Sequence, residues 1–353
     1  MQKFTAERLP VEYFPETMFR PGTQMFRTKM ACVFVNGGAG DYFTWLQAVR
    51  WLASEAKWIQ GSLICPVYLK EIAEYFLKPY GWPVVTFKDI PPSMNDQLFR
   101  GPVVLDRESL NATGGHLSNC GWVYFCNKDK APEGWDSYPQ FKQEDLDAVP
   151  LPNNEAYGLE PGTYAIMTTG QTTDSRKVPG KYWNPIIEHV IARGLTPVFL
   201  GKSVVETGNA SNIHTKFDAA IRYDLGLDLR DKTTLMQAAA IMSRAAVVVG
   251  HDNGLLHLAG CTPTVPIVFS YNIASPEHRE PKRPHLKRNG VFNVTVSREE
   301  LACINCQSNM NFFIGFNFRN CMYSDLKCVH LLFANSGERY KKAIDEALTW
   351  TKT

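Results

Sequence analysis

The sequence predicts an α/β protein built from two doubly wound domains, and three observations carry the prediction. Short apolar runs alternate with longer stretches of helical period, the alternation occurs twice along the chain, and two of the runs end in glycine where a helix begins. A chain of 353 residues also exceeds the roughly 100 to 200 residues that one core usually serves.

The elements follow in order. Residues 1–29 read as a polar, proline-containing extension. MACVFVN, Met30 to Asn36, is an apolar run of the kind buried in a parallel sheet, and Gly37, Gly38, Ala39 and Gly40 turn it into DYFTWLQAVRWLASEA. There Phe43, Leu46, Val49, Trp51 and Leu52 give an imperfect helical stripe. GSLICPVYL, KEIAEYFLKPYG, PVVTF and GPVVLD continue as strand, helix, strand and strand. From about Asn111 to Gly162 the pattern is less regular, and its end, VPLPNNEAYGLEPG, has the composition of a linker. TYAIMTT then opens a second series as a strand, followed by the helix WNPIIEHVIARG and the strand LTPVFLG. A helix capped by Thr233 or Thr234 leads into the strand AVVVG, and ANSGERYKKAIDEALTWTKT reads as a final helix capped near Asn335 or Ser336. The expected domains are 30–155 and 156–335, with 336–353 packing back across them.

Composition excludes some classes. A formal charge of +2, from 37 basic and 35 acidic residues, writes no electrostatic footprint for nucleic acid into the total. The first thirty residues carry charges and prolines where a signal peptide needs an apolar core, and no apolar run reaches transmembrane length. With nine cysteines, the expectation is a reducing, cytoplasmic setting, free or peripheral to a membrane.

Open α/β sheets bind ligands at the carboxyl ends of their strands, so both glycine-marked seams are candidate sites. GGAGD lacks the third glycine of a dinucleotide fingerprint and the Lys-Ser/Thr pair of a phosphate loop, and taken alone it reads as a turn with Asp41 as cap. VVVGHDNGLLHLAG, Val247 to Gly260, is richer. A cap needs one of Asp252 and Asn253, and a core histidine would explain His257, but several polar groups converge on one helical turn whose free N–H groups favour an anion.

GHDNGLLHLA resembles the G-x-D-[TS]-G-x-x-H-x-A signature of glycosyltransferase family 9, the heptosyltransferases of lipopolysaccharide synthesis. LDLRDKTTLMQAAAIMSRAAVVVG and MTTGQTTDSRKVPGKYWNPIIEHVIARGLTPVFLG are similar to the segments that precede the signature in that family, and FVNGGAGDYFTWLQAVRWL to its amino-terminal turn and helix. Asn253 stands where the family has Thr or Ser, and the loop GCTPTVPIVFSYNIASPEHREPKRP is shorter than the family's, with S-P-E in place of D-P-E.

The resemblance implies a GT-B fold, two Rossmann-like domains facing across a cleft, and an inverting, metal-independent glycosyltransferase. Asp41 matches the family's general base, with Gly40 and His116 on the acceptor side. Thr168, Thr169, Thr172, Arg176 and Lys177 fall in the stretch that holds the donor phosphates, and Asp252, Asn253, Gly254, Leu255 and His257 in the donor-sugar and diphosphate loop. The co-substrate is a nucleotide-diphosphate sugar, ADP-heptose-like or another. The acceptor is a glycan, a glycolipid, a protein or a modified nucleobase, with contacts sought among Trp122, Tyr124, Phe125 and Trp135. No cofactor is required for catalysis, and neither seam carries the Asp-x-Asp motif of metal-dependent enzymes. Two other readings stay open: a nucleotide-sugar epimerase or hydrolase using His116 or His251, and a binding module without catalysis.

Late in the chain, Cys303 and Cys306 form a C-x-x-C pair followed by Cys321 and Cys328. Four thiolates suit a tetrahedral structural zinc, and four free thiols are the alternative.

Overall fold

The computed structural model describes residues 28–34, 38–55, 59–89, 121–122, 125–126, 128, 130–151, 158–170, 176, 178–206, 214–216, 220–306, 321 and 325–350. It divides into two compact units, Met1–Asp136 and Ser137–Thr353. The linker expected before residue 156 lies beyond this division. Tyr138 and Phe141 already belong to the second unit, since their backbone N–H groups donate to the carbonyls of Lys282 at 2.8 Å and Cys261 at 2.9 Å.

In the first unit, β1 (Thr28–Val33), α1 (Ala39–Glu55), β2 (Ile59–Cys65), α2 (Lys70–Leu77) and β3 (Val84–Thr86) alternate, and the strands pair in parallel in the order β1-β2-β3. The imperfect stripe of α1 has a physical reason. Tyr42 and Trp45 are buried as well as Phe43, Leu46 and Val49, so the helix is covered on more than one face. Phe34, just after β1, stacks on Tyr42 at a centroid distance of 5.2 Å and fixes where the helix starts. The segment GPVVLD lies outside the described residues.

The second unit contains α3 (Gln143–Asp147), β4 (Tyr164–Thr168), α4 (Gly180–Ala192), β5 (Thr196–Phe199), β6 (Val204–Glu206), β7 (His214–Lys216), β8 (Leu227–Asp228), α5 (Leu235–Ser243), β9 (Val247–His251), α6 (Gly254–Gly260), β10 (Ile267–Ser270), α7 (Pro276–Arg279), β11 (Val291–Val294), α8 (Lys327–Leu332) and α9 (Ala334–Leu348). Six strands form one parallel sheet in the order β11-β10-β9-β4-β5-β8, while β6 and β7 pair separately as an antiparallel hairpin. Counting only the strands of this sheet along the chain, the order is 3-2-1-4-5-6, that of a doubly wound nucleotide-binding sheet. Its switch point lies between β4 and β9, where Thr168 pairs with Gly250.

Trp183, Ile186, Ile187 and Val190 recur at helical spacing on the buried face of α4 and share one core with Tyr340, Ile344 and Ala347 of α9. The final helix therefore packs on the sheet and helix of its own unit. Asn335, Ser336 and Gly337 have left-handed φ of 52°, 56° and 77°, so regular helix begins only after them and the expected cap at Asn335 or Ser336 is a bend instead. A Cβ at position 337 would stand 2.9 Å from Ile186 Cγ1, which reserves that bend for glycine. Thr234 caps α5 as expected, its hydroxyl accepting the N–H of Gln237 while the Gln237 side chain accepts the N–H of Thr234.

Candidate functional site

At the amino-terminal seam, Asp41 sits in the first turn of α1 rather than at its cap. Its Oδ2 accepts the N–H of Gly38 at 2.7 Å, so the carboxylate reaches back to satisfy a donor of the incoming turn. Gly40 is buried beside it in the same turn. His116 and Tyr124 lie outside the described residues; Trp122 is buried, and Phe125 and Trp135 are half-buried. Trp122 packs edge-on to Trp51 at 5.9 Å and Phe125 against Phe34 at 5.6 Å, which gives both a core role.

The second seam is the switch point of the six-stranded sheet. Asn253 adopts extended backbone and caps α6: its Oδ1 accepts the N–H groups of Leu255 at 3.0 Å and Leu256 at 3.2 Å. The same side chain donates from Nδ2 to the carbonyls of Thr168 at 3.1 Å and Gly170 at 3.3 Å, tying the end of β4 to the start of α6. The N–H groups of Leu255 and Leu256, which the sequence reading left to a ligand anion, are thereby already satisfied. Gly254 and Leu255 open the helix, Thr168 is fully buried, and Thr169 shares a hydrogen bond of 3.2 Å with the Tyr223 hydroxyl. Thr172 and Lys177 lie outside the described residues.

Asp252 and His257 are buried together. The imidazole Nε2 stands 3.5 Å from Asp252 Oδ1, and Arg176 Nη1 stands 3.7 Å from Oδ2. Burial alone would raise the Asp252 carboxyl; Arg176, Arg279 and then His257 outweigh it and hold the group well below the usual carboxylate range. The site thus keeps an ionised carboxylate in a dry place. Tyr138 fixes the histidine from its other side, its hydroxyl 3.0 Å from Nδ1.

Behind this cluster His251 is fully buried, with Nδ1 on the Ser270 hydroxyl and Nε2 at 3.1 Å from Asn272 Oδ1. Ser270 in turn bonds the Tyr340 hydroxyl of α9. Burial, chiefly, pushes the His251 imidazole down to about 4, so it is neutral near pH 7 and serves as a fixed strut. Arg279, two residues beyond the marked S-P-E, and Tyr138, from the irregular middle, carry no local signal in the sequence.

The four late thiols are free, and Cys303, Cys306, Cys321 and Cys328 are each half-buried. Burial raises the Cys303 thiol, with Cys321 adding to the rise; burial likewise lifts Cys328 to about 11 against an Asn272 hydrogen bond, with Cys306 and Cys321 adding. Four thiols are suitable donor chemistry for a tetrahedral ion. Among the described residues, however, no three ligating side chains close around a point where a metal could sit, so the expected zinc set is not formed as placed.

The doubly wound sheet is that of the GT-B fold, and the solved structures that the chain resembles agree. TibC, an iron-containing dodecameric glycosyltransferase from enterotoxigenic E. coli H10407, aligns with a TM-score of 0.61 at 15% identity over 91% of this chain and 76% of that one. E. coli ADP-heptose lipopolysaccharide heptosyltransferase II gives 0.57 at 14% identity over 91% and 98%. A family 9 glycosyltransferase from Veillonella parvula gives 0.54 at 12% over 92% and 98%. No curated protein sequence matches. Residues 134–308, just under half of the chain, match the model of glycosyltransferase family 9 (heptosyltransferase), which supports glycosyltransferase activity.

Proposed function

We propose that this enzyme transfers a sugar from a nucleoside-diphosphate sugar of the ADP-heptose kind to a hydroxyl of a saccharide, lipid-linked, protein or nucleobase acceptor, with inversion and without a catalytic metal. The observation that carries the donor side is the buried pair Asp252 and His257, with Arg176 beside Asp252, at the sheet's switch point. TibC has been solved with ADP-D-beta-D-heptose, which supports the same donor class here.

In this reading Asp41 takes the proton of the acceptor hydroxyl as its oxygen bonds the anomeric carbon. The bond from that carbon to the diphosphate breaks, and its electron pair leaves with the phosphate oxygen. A positioned base contributes about 10² to 10⁴ in rate, because a sugar hydroxyl is a poor nucleophile. Arg176, beside the donor loop, supplies positive charge for the departing diphosphate.

Asp41→Ala is expected to lower transfer from ADP-heptose about a hundredfold or more with calorimetric ADP affinity retained; Asp252→Ala is expected to weaken donor use. Near-normal turnover of Asp41→Ala would remove it as the base.

A further inference from the structure

Residues 138–141 form a strap across the end of α6, the helix that carries His257. The Tyr138 N–H donates to the Lys282 carbonyl at 2.8 Å, the Phe141 N–H to that of Cys261 at 2.9 Å, and Gln140 Nε2 to that of Gly260 at 2.9 Å. The fit is close: a Cβ at position 260 would stand 2.6 Å from Pro281 Cβ and 3.0 Å from Tyr138 Cδ2. His257 lies one turn before this point, and the strap brings the Tyr138 hydroxyl to 3.0 Å from its Nδ1. Both side chains are buried. Packing alone would be met by phenylalanine, which fills the same space without the oxygen.

The two sides of the imidazole make different demands. Nε2 stands 3.5 Å from Oδ1 of the ionised Asp252, and a carboxylate oxygen can only accept. A bare Nε2 would set a lone pair against a negative charge, so Nε2 carries the hydrogen. In a neutral ring Nδ1 is then the bare nitrogen, an acceptor that needs a donor, and the phenol supplies one. Asp252 thus selects the tautomer and Tyr138 completes it. The Phe269 ring, edge-on to His257 at 5.5 Å, confines the imidazole without offering it a conventional hydrogen bond.

We propose that Tyr138 is a positioning residue of the donor loop: its hydroxyl donates to Nδ1 of His257 and locks the imidazole with Nε2–H turned to Asp252. Arg176 Nη1 stands 3.7 Å from the other carboxylate oxygen, Oδ2, so an N–H group faces each oxygen of Asp252. Tyr138 touches no ligand and acts only through His257. The consequence for binding rests on the donor reading given above, whereas the hydrogen-bond pattern stands apart from it.

The test is Tyr138→Phe, read first by nitrogen-15 spectra of labelled histidine at about pH 8, above the ordinary histidine range, with His257→Gln identifying the His257 signals. In the native protein Nε2 is expected to be protonated, and Nδ1 bare and hydrogen-bonded. In the variant the proton stays on Nε2 and the Nδ1 signal moves to that of an unbonded nitrogen. A tyrosine that only filled space would leave both signals where they are. ADP-heptose affinity, measured by calorimetry, should fall about fivefold in Tyr138→Phe and show no further fall when Tyr138→Phe is added to His257→Gln. A proton on Nδ1 of the native ring overturns the proposal, as does an Nδ1 signal indifferent to the variant. Equal losses in both backgrounds would show that Tyr138 acts by another route and overturn it too. The native spectrum needs no variant, so it decides the tautomer even if Tyr138→Phe fails to fold. Native protein that binds no ADP-heptose would overturn the donor reading, while the spectra still decide the hydrogen bond.

Discussion

Acidification should weaken the second unit in part through His251. Its imidazole is fully buried between Ser270 and Asn272, and burial holds it down to about 4 against an ordinary value of 6.5; Asp252 opposes the shift and Arg176 reinforces it. The unfolded chain therefore binds a proton between those two values that the folded protein refuses. Stability from this group is complete above pH 6.5 and is lost as the pH falls toward about 4. With 1.36 kcal/mol per unit, the loss is about 1.4 kcal/mol at pH 5.5, about 2.6 kcal/mol at pH 4.5, and approaches about 3.4 kcal/mol at its limit. The comparison is His251→Gln, which keeps a polar amide in the cavity and cannot titrate. Hydrogen exchange of the β9 segment in a urea series isolates this unit from the other. The native protein should lose stability relative to the variant by these amounts between pH 7.5 and 4.5. Parallel curves for the two proteins would show that His251 is not the titrating strut.

One further change probes the same seam. Gly250→Ala would place a Cβ 1.9 Å from Thr168 Oγ1 and 3.0 Å from the Thr168 carbonyl; we expect a loss of about 1 to 3 kcal/mol by thermal unfolding, partly restored in Gly250→Ala with Thr168→Ala.

Much of the site was legible because its signals are local. The run Val247 to His251 is a strand by its unbroken apolar character, and Asn253 is a cap by its position before Gly254. Thr234 and Gln237 announce a capping box from four consecutive letters. What sequence reading missed comes from distance. Tyr138 meets His257 across 119 positions, and nothing in the aromatic-rich segment around it marks one tyrosine as different from its neighbours. The linker composition near residue 156 is real, but composition does not reveal that Tyr138 and Phe141 hydrogen-bond to Lys282 and Cys261. Asn253 also corrects a habit of reading. Free N–H groups at a helix start are available to a ligand only if the cap leaves them so, and here one side chain uses two of them.

The placement of polar residues at this seam follows from opposing demands. A strand buried on both faces must be apolar to its last residue, so polar groups can enter only where the chain leaves the sheet. At β9 they enter at once: His251 is braced by neutral partners, Asn253 closes the helix, and Asp252 is left facing arginine and histidine without a direct hydrogen bond to its oxygens among the described residues. A sequence selected for stability alone would replace Asp252, since a buried carboxylate without such bonds is costly even beside a cation. Its neighbours His251 and Asn253 satisfy the fold, and Asp252 does not. The group that the fold leaves incomplete is the one a donor sugar would complete, which is why the donor reading is anchored on Asp252 rather than on the cap beside it.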